Sequence, residues 1–525
     1  MGRLYGIWYG IRSPWRKWTR EKESERRERT TGPAESDNDK IILCHVRSSS
    51  CGPCHFCFCS ASFYRPVHLL LDTRRGTSCD IKLCSISRST QDSSHCNWLR
   101  EPSTECPHSP GLGFSICCRL ADEFLSSHPE SESLTIIFTT RSARKAQDTI
   151  RGLKAHLSQT APASAARVHF EPESVDLGDL VSVRALSRRL VHSLPRLDAI
   201  VLNAGIGGWS GISWPKAIWG VCTDLVHQVT WPSYKLAPVG VLTAKQTKTE
   251  EEPALGSIFC ANVFGHYMLA HNVTPLLKRA HINGPGRVVW VSSIEGTYKF
   301  FKIDDIQGLR TDAPYESSKA LTDILALTSN LPSTAPWSVE SFLESETELN
   351  THAIHTHAPT ASPRSYLSHP GICATSIVPL ILPLAWAMIA SFWVARILGS
   401  PWHPLSTYLG ACAPVFLALA PKAMLEAAEE PYRQAGGGRA KWGSSCTRSG
   451  VESPASTEVD GWGHGGVVGT PVVEADRLRR RKRGAEYLTR DKKEEFEELG
   501  RQCWKQMEEL RVQWDEILDQ AEARS

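Results

Sequence analysis

Three short apolar runs, LTIIFTT (134–140), LDAIVLNAG (197–205) and GRVVWVSS (286–293), are separated by stretches of helical character. Strands of that composition alternating with helices are what βαβ units produce, and their crossovers require a parallel sheet with helices on both faces. The fold class that follows is α/β, a doubly wound parallel sheet with insertions. In such sheets a Gly-rich turn leaves the first strand and opens a helix, so that backbone N–H groups meet a pyrophosphate. SPGLGFSICCRL (109–120) carries the end of such a turn, Gly111, Leu112 and Gly113, ahead of an apolar helical run through Phe114, Ile116, Leu120 and Phe124. Upstream lie Pro107 and Pro110, and proline cannot donate to a ladder. No strand pattern is sustained between 23 and 105, so the first strand is expected to be missing or replaced.

The 525 residues carry 59 basic and 56 acidic side chains, a net charge of +3, which gives no electrostatic basis for a nucleic-acid partner. Eleven of the 17 cysteines fall within the first 118 residues. CGPCHFCFCS (51–60) could in principle hold zinc, but its four cysteines are crowded together, whereas structural sites separate two ligand pairs, and no metal is expected. The first thirty residues lack the apolar core of a secretory signal, and residue 6 is Gly where a myristoylation signal has Ser or Thr. A reducing compartment with free thiols is the expectation.

The chemistry-bearing residues lie further on. Asn203, Ala204 and Gly205 end one apolar run, where small residues let a ligand approach the backbone. Asn262 opens the next helical stretch. Ser292 and Ser293 end the third run, and YESSK places Tyr315 and Lys319 four residues apart, on one helix face. An ammonium favours phenolate over phenol. Moving a tyrosine pKa from ~10 toward 7 needs about 4 kcal/mol, which one charge at an effective dielectric near 20 can supply.

The order Gly-x-Gly, Asn-Ala-Gly, Asn262, Ser-Ser, Tyr-x-x-x-Lys, Pro370-Gly371, Thr375 resembles the short-chain dehydrogenase/reductase family over residues 111 to 435. The resemblance implies a Rossmann-like sheet and a nicotinamide cofactor. It implies that Tyr315 protonates a carbonyl oxygen, Ser293 holds that oxygen, Lys319 binds the nicotinamide ribose and depresses the Tyr315 pKa, and Asn262 anchors a water relay. Asn203, Ala204 and Gly205 would line the cofactor cleft, Asp176 would approach the adenine, and Pro370, Gly371 and Thr375 would meet the nicotinamide end. SPGLG would be the end of the family's Thr-Gly-x-x-x-Gly-x-Gly turn, with Pro107 in place of its first glycine. Arg141 after the second strand, with no acid beside it, favours the 2′-phosphate of NADPH.

Two insertions, 206–261 and 294–314, together with ANVFGHYMLAH and STEVDGWG, resemble the branch that reduces the 3-ketone of sterols during C4 demethylation in fungal ergosterol biosynthesis. That resemblance implies a sterol substrate, the cytosolic face of the endoplasmic reticulum membrane or a lipid droplet, and other enzymes of the C4-demethylation complex as partners. A reductase of another lipid ketone or of a retinoid, or a scaffold silenced by the incomplete turn, are the alternatives. Residues 377–421 hold no acid and a single basic residue, Arg396. They read as a membrane-dipping flap, with a buried lid and core helices as the other possibility. The domain reading is a disordered or foreign segment at 1–105 and a reductase domain at 106–435. A flexible Gly-rich and basic linker at 436–485 follows, then an amphipathic helix at 486–525. RLRRRKR (477–483) could meet anionic lipid.

Overall fold

The computed structural model describes residues 39–45, 111–247, 252–280, 285–343, 362–374 and 382–524. In chain order, strand β1 (Lys40–His45) is followed by helix α1 (Leu112–Ser127), β2 (Leu134–Thr140), α2 (Ala143–Thr160), β3 (Val168–Ser174), α3 (Leu180–Ser193) and β4 (Ala199–Leu202). The first insertion contributes β5 (Gly211–Ile212), α4 (Trp214–Thr230) and β6 (Lys235–Leu236), with β5 and β6 paired as a small antiparallel sheet of their own. Helix α5 joins Ser257–Phe259 to Gly265–Asn272 through a π-helical turn, Cys260–Phe264. Then come β7 (Arg287–Val291), α6 (Pro314–Thr328), β8 (Arg364–His369), α7 (Leu382–Ile397), α8 (Cys412–Leu419), α9 (Lys422–Gln434), β9 (Lys441–Cys446), β10 (Glu452–Thr457) and α10 (Arg490–Ala523).

The main sheet runs β3-β2-β1-β4-β7-β8-β9-β10, parallel throughout except for the antiparallel edge strand β10. Order reverses at β1 and β4, the switch point where doubly wound sheets bind ligands at the carboxyl ends of their strands. Alternate residues of the central strands face opposite layers. Leu43, Ile200, Leu202, Val288 and Trp290 pack with α3, α5, α6 and α10. Ile42, Cys44, Ala199, Val201, Val289 and Val291 pack with α1, α2 and α8. Burial on both faces is why these strands read as continuous apolar runs.

Two sequence expectations are corrected. The first strand is not missing: Lys40–His45 occupies the centre of the sheet, with Lys40 opposite Leu134 and Ile42 opposite Ala199. Its four consecutive apolar residues are too few to stand out, and residues 46–111 separate it from α1, so no neighbouring pattern pointed to it. The supposed linker at 436–485 is not a linker. Lys441–Cys446 is wholly buried, and Glu452–Thr457 completes the sheet. Two of the glycines that suggested flexibility serve close approaches: a Cβ on Gly437 would lie 2.3 Å from the Gly465 carbonyl oxygen, and one on Gly443 2.3 Å from His369 Nε2. Within the basic run, Arg479 pairs with Asp476 and Arg481 with Glu458, while Arg477 and Arg483 stay exposed.

The C-terminal helix α10 packs its amphipathic face on the domain. Phe496, Cys503, Trp504, Met507, Trp514, Ile517 and Leu518 are buried against α5 and α6, each large side chain stabilising by about 1.5–3 kcal/mol. Tyr267 on α5 donates 2.6 Å to Glu508, whose carboxylate also pairs with Arg511. Gly500 lies against Thr328, where a Cβ would come within 2.5 Å. The back of α6 is thereby fixed along α10.

The apolar segment divides in two. Helix α8 is core, packed on the β sheet and α1. Helix α7 instead pairs with α4 through Phe392, Ala395, Val226 and Val229, and its outer side stays exposed. Among the described residues no helix is long and apolar enough to cross a membrane.

Candidate active site

The carboxyl edge of the sheet gathers most of the residues singled out in the sequence. Gly111 is the N-cap of α1, without a side-chain cap, and Leu112 and Gly113 begin its first turn, which leaves backbone N–H groups free for an anion. Arg141 follows β2, Asp176 follows β3, Asn203, Ala204 and Gly205 follow β4, and Pro370 and Gly371 follow β8. Arg141 and Asp176 approach to 3.7 Å with both side chains about half exposed. Asn203 donates from Nδ2 to the His45 carbonyl at 3.2 Å, while its buried Oδ1 has no partner. Gly205 has no room for a side chain, since a Cβ there would sit 2.9 Å from Asn262 Oδ1. Gly371 has φ +69, a conformation that glycine adopts without strain. Thr375 and Pro107 lie outside the described residues, as do the cysteines at 51–59.

An uncapped helix N-terminus, small residues at the switch point and an orphaned buried amide oxygen fit a nicotinamide dinucleotide laid across β1 and β4. In a minimal fold of this kind, a turn of a few residues would join β1 to α1. Here residues 46–111 stand between them.

Ser293 leaves β7, and Tyr315 and Lys319 lie in the first turns of α6, which starts with Pro314 in its favoured place at the helix entry. Tyr315 and Lys319 are buried, at 9% and 4% exposure. Ser293 is the hydroxyl hydrogen-bonded to Tyr315, and it also accepts from the Glu295 backbone N–H at 3.2 Å. Ser292 turns inward instead, donating to the Lys319 carbonyl at 3.3 Å. Asn262 sits in the π-helical turn of α5, a distortion common at functional sites. Its amide pairs with both backbone groups of Ile206, accepting at 2.7 Å and donating at 3.0 Å, and donates to Ser318 at 3.1 Å. It therefore ties the start of the first insertion to α6.

Lys319, four residues on from Tyr315, faces the same side of α6. Its ammonium donates to the Val291 carbonyl at 3.0 Å, 5.9 Å from the centre of the Tyr315 ring. Burial brings its pKa down to about 8, with Asp323 opposing the fall and Lys441 adding to it. Tyr315 is not depressed; burial first, and then the Glu295 carboxylate, push it up to about 12, against the pull of Lys235 and the Ser293 hydrogen bond.

Two cations of the site escaped the sequence reading. Lys441, in the stretch taken for a linker, pairs with Asp323 and donates to the Ser293 carbonyl at 2.7 Å. Lys235, in the first insertion, stands 5.3 Å from the Tyr315 ring centre. Neither lies in a motif, and only the fold brings them to the site.

A sheet of this order, with serine, tyrosine and lysine gathered over its switch point, defines a short-chain dehydrogenase/reductase. No family model matches the chain. It is 63% identical over 425 residues to 3-keto-steroid reductase erg27 of Aspergillus fumigatus, covering 79% of this chain and 94% of that one. The 3-keto-steroid reductase of Gibberella zeae is 38% identical, with 78% and 93% covered, and that of Candida albicans 32%, with 69% and 89%. The chain belongs to the 3-keto-steroid reductase family. Matched solved structures include a short-chain dehydrogenase/reductase from Burkholderia xenovorans (15% identity, 59% of this chain and 88% of that one, TM-score 0.32). Salutaridine reductase from Papaver somniferum is another (17%, 51% and 85%, TM-score 0.30).

Proposed function

We propose that this chain reduces the 3-ketone of a C4-demethylated sterol to the 3β-hydroxyl, using NADPH. The observation that carries this reading is 63% identity over 425 residues to a 3-keto-steroid reductase, covering 94% of that protein's length. A nicotinamide cofactor held at the β1–β4 switch point would supply the hydride for this reduction. Tyr315 gives its phenolic proton to the carbonyl oxygen, so that the C=O becomes CH–OH. Ser293 orients that oxygen by a hydrogen bond, and Lys319 and Asn262 fix the tyrosine-bearing helix and the cofactor's ribose end. Arg141 supports NADPH: its pairing with Asp176 is long and solvent-exposed, and exposed pairs of this kind contribute little, so the guanidinium can turn to a 2′-phosphate. Turnover assays comparing a C4-demethylated 3-ketosterol with retinal, each with NADPH and NADH, test both parts. Preference for retinal overturns the substrate, and preference for NADH overturns the cofactor.

The same reading places the protein on a membrane or lipid-droplet surface at the cytosolic face of the endoplasmic reticulum, beside other C4-demethylation enzymes. Its support is the paired α4 and α7, which expose Trp219 (74%), Ile218 (63%), Trp386 (61%) and Ile397 (59%), an apolar patch with the tryptophans favoured at lipid interfaces. Vesicle flotation after a high-salt wash should retain the protein, and Trp219→Ser with Trp386→Ser should release it. Release of the unaltered chain by salt alone refutes the placement.

A further inference from the structure

His369, the last residue of β8, is fully buried and ties β9 and β10 to the turn that follows it. Its Nδ1 accepts the backbone N–H of Gly371 at 3.1 Å. On its other side Nε2 lies 2.7 Å from Oγ1 of Thr457, the last residue of β10. Gly443 of β9 leaves the space that the ring fills, and Trp402 stands edge-on to it at 5.1 Å between centroids. An imidazole whose Nδ1 accepts an N–H carries its proton on Nε2, so this ring is neutral and donates to Thr457. Burial favours that form, keeping the His369 pKa well below the ordinary histidine value, and the Lys441 ammonium adds to the effect.

The turn held by the ring is tightly enclosed. A Cβ on Gly371 would lie 2.8 Å from the Ser444 carbonyl oxygen and 2.9 Å from that of Trp402. The residues after it are strapped to 402–405, Ile372 donating to the Trp402 carbonyl at 2.7 Å and Ala374 to the Leu405 carbonyl at 2.8 Å. Those ties run between backbones. The tie on Gly371 itself is made by a side chain, and that side chain is anchored on the edge strand of the sheet.

We propose that His369 is a positioning residue for the cofactor: its imidazole sets the Pro370-Gly371 turn against the nicotinamide end and, through Thr457, makes the β9–β10 hairpin part of that support. The proposal rests on the reading of Pro370 and Gly371 as the nicotinamide end of the cleft. Without the ring the Gly371 N–H loses its acceptor, and the turn relaxes toward whatever conformation pairs that group again. STEVDGWG begins with Ser456 and Thr457, so the stretch that resembles the sterol-reducing branch reaches the cofactor cleft through this one hydrogen bond.

NADPH can be compared with 2′-phospho-ADP-ribose, which keeps the adenine, the diphosphate and both riboses but has no nicotinamide. Each is titrated into the full chain by isothermal calorimetry, with folding followed by circular dichroism and stability by urea. His369→Leu should weaken NADPH binding by about ten-fold, the worth of one well-placed hydrogen bond, and leave 2′-phospho-ADP-ribose nearly unchanged. His369→Asn offers a side-chain oxygen that can accept an N–H two residues on, as Asx turns do. It should recover most of the NADPH affinity while stability stays low, because neither the ring's packing nor the Thr457 bond returns. If His369→Leu does not fold, Thr457→Val should show the same selective loss for NADPH, to about three-fold. Equal weakening of both ligands overturns the proposal together with the reading of the turn as the nicotinamide end. Unchanged NADPH affinity in a folded His369→Leu or Thr457→Val chain overturns the role of the ring and leaves that reading standing. NADPH affinity that merely follows stability across the variants also overturns it.

Discussion

Lys441 and Asp323 form an ion pair at the base of the active site, both essentially buried, and the lysine also holds the Ser293 carbonyl. Breaking a buried pair strands a charge, at a cost of about 3–5 kcal/mol. Asp323→Leu should therefore lower unfolding free energy by that amount in urea titrations. A loss below about 1 kcal/mol would show that Lys441 is not held this way. The milder Asp323→Asn should take Lys319 further below its pKa of about 8, because Asp323 is what opposes the fall caused by burial. A larger share of the lysine would then be neutral at pH 7, and weaker cofactor binding, recovered at lower pH, is the expected signature.

Tyr315→Phe should reduce turnover by about two to four orders of magnitude, the usual worth of a general acid, with cofactor affinity nearly intact. Lys319→Met should lose both, since its ammonium positions more than the proton. Appreciable turnover by Tyr315→Phe removes the tyrosine from the donor role.

Stability should fall with acidification below pH 6.5. His128 and His266 are brought down to about 3 and His403 to about 4, in each case chiefly by burial. Each stays neutral in the fold and takes a proton once unfolded. The stabilisation is complete above the unfolded value near 6.5 and is lost progressively as pH drops toward 3–4, at up to about 1.4 kcal/mol per unit for each histidine. Urea midpoints at pH 7 and 5.5 check this, and equal midpoints would contradict it.

Replacing residues 46–110 by a short Gly-containing turn should tighten NADPH binding by at least ten-fold, measured by quenching of protein fluorescence. The strand end at His45 and the helix start at Gly111 are both in place, and what is unusual is the length of chain between them. Equal affinity of the two proteins would show that the long connection costs the site nothing.

Much of the site was legible because its residues sit at fixed offsets from strong apolar runs. Asn203 to Gly205, Ser293, and Tyr315 with Lys319 all follow strands or open a helix, so finding the element finds the residue. Lys235 and Lys441 were not legible. Their neighbours in space come from other segments, and nothing in SYKLA or RAKWG records that. Strand β1 escaped for a related reason: periodicity needs length, and six residues within an unpatterned stretch do not supply it. The apolar content of 377–421 was visible, but composition cannot tell a helix packed against a sheet, such as α8, from one left facing outward, such as α7.

The strand at the middle of the sheet sets how this chain must fold. Segment 39–45 meets partners 94 and 157 positions further along, as in the hydrogen bonds of Asp39 to Ser133 and of Ile41 to Asp198. Contacts so distant in sequence form slowly, because the entropy of closing the loop is spent before the pairing is gained. Until it arrives, β2 and β4 present bare edges to one another, the kind of surface on which chains pair with the wrong neighbour. Two half-sheets, β3-β2 on one side and β4-β7-β8-β9-β10 on the other, are thus joined by six residues, and losing those six would part Arg141 and Asp176 from the half that carries Asn203, Ser293 and Tyr315.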